Sequence, residues 1–420
     1  MVGIPRETQA PFVVSAPGKV ILFGEHAVVY GKQAIAGSLD MRAYALVTPR
    51  TDKQVRLFLP DIDVDVSFAT AELPQLQRED LAHPGDVESL CAVSVPEGPG
   101  HMAVLTFVYL YGCLVRQRSG LTVCVRSLLP VGAGLGSSAS FNVALSTALL
   151  HVTGRLQDNG ASAADRRLIN EWAFQGEQVA HGTPSGIDNS VATYGGFLAY
   201  TKGSEPSVLR SEQALRVLIT NTNVPKSTKA LVAGVRVLRD KYPAVIDPVL
   251  DSIHGIAHTA AELFQSSGDT ETALQDIVRL NHGLLTTLGV SHPSLERIRE
   301  ITAGYGLASK LTGAGGGGCA LTLVPRETSD ETVGRVAAEL TEEGFQCHHA
   351  VVGGHGVAVS GAAGSEPVAK WIARMLSAHM SLVPGRTDSD SGADEYGGIV
   401  SGFSILPDTA IAKLAPSQAQ

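Results

Sequence analysis

The chain is 420 residues long, 44% hydrophobic and 17% charged, a composition with enough apolar surface for two or three globular domains and too much for a wholly disordered polypeptide. Its 32 basic and 41 acidic side chains leave a formal charge of −9, which excludes a nucleic-acid binder that works through bulk positive charge. An anionic ligand must therefore be drawn by local backbone N–H groups and a few placed cations, which directs attention to the 45 glycines.

The first predicted element is the β-rich run FVVSAPGKVILFGEHAVVYGKQAIAG from Phe12 to Gly37, where apolar residues alternate with small ones and glycines punctuate the strands. Further strands are expected at Ala43 to Thr48, Val55 to Leu59 and Leu121 to Leu128. Met102 to Gln117 is apolar on nearly every face and too long for a strand, so it reads as a buried helix, as does Ala139 to Val152. A third helix, Ala164 to Val179, runs into the loop HGTPSGIDNS. The polar stretch TKGSEPSVLRSE places a domain boundary near residue 210. Beyond it come a strand at Ala214 to Thr220 and helices at Lys226 to Arg239, Val249 to Gln265, Thr270 to Leu288 and Ser294 to Gly304, before LTGAGGGGCALTLV and QCHHAVVG return to strands. Ser365 is placed to cap a helix whose Val368, Trp371, Ile372, Met375, Leu376 and Met380 share one face, followed by a linker-like tail. The expected divisions are thus 11–210, 211–362 and a C-terminal extension, 363–420.

The five cysteines (Cys91, Cys113, Cys124, Cys319 and Cys347) are odd in number, with no C-x-x-C pair, and read as idle thiols in a reducing compartment. No stretch reaches the ~18 uninterrupted apolar residues of a membrane span, and MVGIPRETQAPF lacks the apolar core of a secretion signal. The expected partners therefore include neither nucleic acid nor membrane, and the expected location is cytoplasmic, with a peroxisomal address left open.

Several motifs carry chemistry. GAGLGSS, Gly132 to Ser138, lies between a predicted strand and a predicted helix, where free N–H groups and the helix dipole can hold phosphate. No lysine follows its last glycine, so it is not a P-loop, and on the residues alone it reads either as an anion site or as a tight turn. GAGGGG, Gly313 to Gly318, runs into a strand rather than a helix, so it fails as a dinucleotide fingerprint and reads as a loop lying close to a ligand or another backbone. Lys19 sits between a Pro-Gly turn and an apolar strand, suited to meet an acid or a phosphate. Glu25 and His26 lie near the next turn, and a lone His is more often structural than catalytic. Asp188 reads as a turn residue that caps its own backbone or as a functional carboxylate, and Glu177 as a surface charge or a metal ligand.

Three signatures in order, PGKVILFGEHAVVYGK (Pro17 to Lys32), PVGAGLGSSAS (Pro130 to Ser140) and KLTGAGGGGC (Lys310 to Cys319), resemble those of the GHMP kinase family, named for its galactose, homoserine, mevalonate and phosphomevalonate members. GEQVAHGTPSGIDNSVATYGG and NVPKSTKALV resemble the mevalonate branch, and the resemblance covers roughly residues 11 to 360. It implies an α+β fold of two domains with the active site in the cleft between them, and ATP-dependent phosphorylation of the primary hydroxyl of mevalonate. It further implies Asp188 as the catalytic carboxylate paired with Lys19, and Ser138 and Glu177 holding Mg²⁺. Lys19, Ser127, Gly132, Ala133, Gly134, Leu135, Gly136, Ser137 and Ser138 are implied around ATP, with Glu25, His26, Thr228 and Gly315 toward mevalonate. Asp61 stands where better-known animal members have Asn, a departure on the adenine side. A homodimer and feedback inhibition by isoprenoid diphosphates are implied as well. The rivals are a phosphomevalonate or galactose kinase of the same family and a catalytically silent nucleotide-binding regulator.

Overall fold

The structure is a computed structural model that describes residues 11–80, 89, 93–95, 97–130, 132–211, 214–268 and 270–361, the side chains of 360 and 361 excepted. The extension after residue 361, with its expected helix and tail, lies outside the described residues.

The fold is α+β. Strands β1 (Phe12–Phe23), β2 (Ala34–Arg50), β3 (Gln54–Leu59) and β4 (Val64–Ala69) lead to helix α1 (His101–Leu114), strand β5 (Gly120–Ser127), and helices α2 (Ser137–Val152), α3 (Ala163–His181) and α4 (Ile187–Tyr194). Strands β6 (Phe197–Tyr200), β7 (Ser207–Leu209) and β8 (Leu215–Asn221) follow. Then come α5 (Thr228–Lys241), α6 (Pro243–Gln265), α7 (Glu271–Thr287), α8 (Pro293–Gly304), β9 (Ala308–Leu311), β10 (Cys319–Leu323), α9 (Asp330–Glu342), β11 (Gln346–Val352) and β12 (Ala358–Gly361). Among the described residues no helix is long and apolar enough to cross a membrane.

Among the described residues the strands form one 12-stranded sheet whose main path runs β4-β3-β5-β2-β11-β8-β10-β9. The described pairs are antiparallel apart from β3 with β5. Strand β2 is the hinge of the architecture. The sequence suggests two separate strands there, yet a single 17-residue strand runs through, because it pairs with β1 along most of its length, with β6 near its start, with β5 near its end, and with β11 through Leu39 and Val352. Such pairing satisfies backbone groups that a local turn would otherwise have to satisfy.

The apolar run in α1 does become a buried helix: every residue from Val104 to Leu114 is buried, so no polar face was available to give it periodicity. It packs with α2 and the face of the sheet carrying Val14, Ala45, Val55 and Leu121. A second core lies between Val20, Leu22, Leu135 and Val217 and the face of α6 carrying Ala257, Ala260 and Phe264, so it joins residues from both halves of the chain. The expected boundary at 210 falls between β7 and β8, but β12 crosses back to pair with Phe12 to Ser15 of β1. An expected second unit of 211–362 is thus not closed in space, since strand pairing is non-local and leaves no mark in the partner's sequence.

Candidate active site

The loop between β5 and α2 alternates two kinds of residue. Gly132, Gly134 and Gly136 all adopt left-handed backbone, with φ of 73°, 81° and 78°, while Ala133 and Leu135 between them are 4% and 1% exposed. Left-handed geometry at every second position costs only glycine little, and the two apolar side chains tether the loop to the core. The loop ends at the N-terminus of α2, where Gly136 is the cap residue and no side chain caps the helix. The first N–H groups of an α-helix lack intrahelical partners and sit at the positive end of the dipole. The result is an uncapped, glycine-lined anion cradle.

Lys19 holds this loop from below. Its N–H donates to Leu135 O at 2.8 Å, its ammonium donates to Gly134 O at 3.1 Å, and a Cβ on Gly136 would lie 2.8 Å from its Cγ. The same ammonium is 3.3 Å from Asp188 Oδ2. Lys19 is buried, whereas the Asp188 side chain keeps 35% exposure, enough to meet a ligand. Asp188 was expected in a loop. The structure instead begins α4 at Ile187, after Gly186 at φ 80°, because a glycine before the run Ile-Asp-Asn-Ser-Val, with its apolar residues four positions apart, both turns the chain and starts a helix. Its carboxylate therefore stands in the first turn of α4, where the helix dipole favours negative charge.

Opposite lies a cluster of oxygen donors. Ser138 Oγ donates to Glu177 Oε1 at 2.6 Å, and Asn142 Nδ2 donates to the same oxygen at 2.6 Å. His181 Nε2 is 3.0 Å from Ser138 Oγ. Burial raises the pKa of Glu177 above the usual carboxylate range, against the hydrogen bonds from Ser138 and Asn142. A hydroxyl and a carboxylate this close are hard oxygen ligands that fit Mg²⁺. Among the described residues no group of three His, Cys, Asp or Glu side chains could hold a metal by itself.

The second glycine loop faces the first. Between them runs Lys226, a residue the sequence reading passed over inside NVPKSTKALV. Its Nζ would be 3.4 Å from a Cβ on Gly134, 3.8 Å from one on Gly313 and 2.2 Å from one on Gly318. Among the described residues Lys226 forms no ion pair, and burial together with the like charge of Lys19 lowers its pKa, Cys319 opposing. A cation held this way between two glycine loops asks for an anion. Nothing in the sequence distinguishes it from a solvated lysine; the signal is its position against glycines 92 residues away in sequence.

The remaining expected residues divide. Thr228 is exposed at the start of α5, two positions after Lys226. His26 is buried, at φ 60°, and its Nε2 donates to Ala314 O at 2.8 Å; burial lowers its pKa, the hydrogen bond to Ala314 opposing. Two residues expected toward the substrate are engaged within the protein. Glu25 has both carboxylate oxygens engaged, one by Lys310 and one by Asn281, and its side chain is 1% exposed, because a carboxylate beside a buried lysine is taken up by it. Gly315 is buried against the Val290 carbonyl, which a Cβ would meet at 2.0 Å; the close approach its glycine permits is to backbone. On the far side of the first loop, Asp61 accepts the N–H of Ser127 at 2.8 Å and pairs with Arg126 at 3.1 Å, so its carboxylate braces the end of β5.

Substituting Gly134→Val places a β-branched residue at φ 81° and against Lys226, a conformation disfavoured by about 1–2 kcal/mol. On the role that the resemblance implies for this loop, the apparent KM for ATP is expected to rise about tenfold or more, because a side chain here would stand in the way of phosphates. Calorimetric titration beside thermal denaturation decides: lost stability with unchanged ATP affinity would reduce the loop to a turn.

The chain is similar to known proteins over most of its length. Residues 101–196 match the family model for the GHMP kinases N terminal domain and residues 260–345 the one for GHMP kinases C terminal. The chain is 40% identical to the mevalonate kinase of Homo sapiens over 377 residues, 83% of this chain and 95% of that one. It is 39% identical to that of Candida albicans over 389 residues, 84% of this chain and 90% of that one. Among solved structures, the Methanococcus jannaschii mevalonate kinase superposes with a TM-score of 0.65 at 24% identity, covering 83% of this chain and 99% of that one. The L. major mevalonate kinase in complex with R-mevalonate gives 0.62 at 25% identity, covering 80% and 94%.

Proposed function

The chain belongs to the mevalonate kinases of the GHMP kinase family, and we propose from that premise that it transfers the γ-phosphoryl group of ATP to the primary hydroxyl of (R)-mevalonate, yielding 5-phosphomevalonate and ADP. The observation that carries this reading is the Lys19–Asp188 pair, 3.3 Å apart, set beneath an uncapped glycine loop. Phosphoryl transfer needs positioning and charge neutralisation more than covalent help from the protein. In the cradle of Gly132 to Ser138 the helix N-terminus takes the phosphates. Asp188 accepts the hydroxyl proton as the alcohol oxygen bonds to the γ-phosphorus and the bond to the β-phosphate oxygen breaks. Lys19, touching both Asp188 and the Gly134 carbonyl, keeps the carboxylate aimed and offsets negative charge on the transferring group.

Ser138 and Glu177 are the residues that would hold Mg²⁺, whose contribution when bound is to neutralise the phosphate oxygens. Asn142 keeps Glu177 turned toward Ser138. Glu177→Gln is expected to raise the Mg²⁺ concentration for half-maximal activity, with excess metal restoring part of the rate; an unchanged Mg²⁺ titration refutes the ligand role.

The same reading extends to a homodimer in the cytoplasm and to inhibition by isoprenoid diphosphates. Support for the last is physical: a diphosphate can occupy the amide cradle while its apolar tail lies where adenosine would. The function is tested by ADP release from the purified chain with mevalonate, phosphomevalonate or galactose as acceptor. Mevalonate alone should support turnover above the ATPase background, and turnover with either rival acceptor only would overturn the assignment.

A further inference from the structure

Lys310 is among the largest fully buried side chains of the molecule, and its side chain has no exposed surface. Its ammonium donates to Glu25 Oε1 and, at 2.7 Å, to Leu311 O, and lies 6.0 Å from the centroid of the Phe23 ring. The other Glu25 oxygen accepts from Asn281 Nδ2 at 3.0 Å. Lys310 is on β9 and Asn281 on α7, whereas Glu25 follows β1, the strand that carries Lys19. The pair thus joins segments 285 residues apart in sequence.

Two further bonds run parallel to it. Thr312 Oγ1 donates to Ile21 O at 2.8 Å, and His26 donates to Ala314 O at 2.8 Å. Behind Lys310, Leu311 N–H donates to His282 Nδ1 at 3.2 Å, and His282 Nε2 donates to Glu296 Oε1 at 2.9 Å, which fixes β9 against α7 and α8. On the other side His26 holds a left-handed backbone that a non-glycine residue keeps only when its surroundings over-determine it. Glu25, one residue earlier, is anchored at both carboxylate oxygens. A buried ion pair is an uncertain source of stability, so its place here, between the end of the Lys19 strand and the start of the second glycine loop, calls for another explanation.

We infer that the Glu25–Lys310 pair is a positioning device: it fixes Gly24 to His26 against Thr312 to Ala314, and so sets the acceptor side of the site without either residue touching substrate. The inference rests on the reading that mevalonate is bound beside Lys19 and Asp188. The first glycine loop is held by bonds from Lys19 to Leu135 and Gly134 and from Cys319 Sγ to Ala133 O, none of which includes Glu25 or Lys310, so ATP binding should be insulated from the pair.

The test is a double-mutant cycle of Lys310→Met, Glu25→Gln and the combination, each with kcat, both KM values and a thermal midpoint. Each single variant should raise the KM for mevalonate about tenfold or more and leave that for ATP within about twofold. Lys310→Met should also lose stability, because it strands a buried carboxylate. In the combined variant no charge is stranded, so the midpoint should recover while the KM for mevalonate stays as high as in the worse single variant. If the KM recovers with the midpoint, the pair serves stability only and the inference is wrong. If the two effects multiply, or if Lys310→Met keeps the original KM, Glu25 acts on the substrate by itself and the inference is again wrong. Should Lys310→Met fail to fold, the combined variant decides through the same KM. Turnover of mevalonate by the unaltered chain is the control: its absence would sink the functional reading rather than the positioning role.

Discussion

Asp188→Asn is expected to lower kcat by about 10³-fold, within the range that removal of a general base costs, while ATP binds with affinity within about threefold. The amide keeps the size of the carboxylate and its place in the first turn of α4, but it cannot take up the hydroxyl proton and it leaves the Lys19 ammonium without its anionic partner. The glycine loop is untouched, since Lys19 also holds it through the Leu135 and Gly134 carbonyls. Single-turnover kinetics and calorimetric ATP titration on the same preparation separate the two effects. A variant with near-normal kcat removes Asp188 from the mechanism, and one that no longer binds ATP shows the pair to be structural support for the loop.

Lys226→Met should cost about 10- to 100-fold in kcat/KM, the worth of one or two charge-assisted hydrogen bonds to an anion. Its ammonium lies between Gly134 and Gly313, and among the described residues it has no counterion. The substrate complex offers two: the phosphates of ATP and the carboxylate of mevalonate. Which KM rises identifies the anion. Stability should hold or increase, because the substitution removes a half-buried, unpaired cation lying near Lys19. A normal kcat/KM would show that Lys226 merely spaces the two loops, and a sharp drop in thermal midpoint would show that it supports them.

The lysine at position 226 illustrates what a sequence can hide. GAGLGSS was legible because its chemistry is local: glycines that alone tolerate φ near 75° precede a helix whose first N–H groups are free, and both features are written within seven residues. The buried character of α1 was legible for the same reason, since an unbroken apolar run longer than a strand has few alternatives. Asn142 and Lys310 were not, although each acts on a residue that was singled out. Asn142 lies one helical turn beyond Ser138 and meets Glu177 only because α2 and α3 pack together, with Gly176 leaving room for its side chain.

By itself, then, the sequence set out the groups at hand: a glycine-rich turn before a helix, a lysine and three acidic residues in segments marked by glycine, with enough apolar content to bury them. Only the tertiary structure decided which groups act together. It united Lys19 with Asp188, 169 positions away, paired Glu25 with Lys310, set Gly315 against Val290, and brought Lys226 between two loops distant from it in sequence. The physical reason is that backbone conformation is fixed by near neighbours along the chain, whereas the partner of a charge is fixed by which strands and helices pack together. That packing depends on the summed burial of many apolar residues and leaves no mark at the charged position itself.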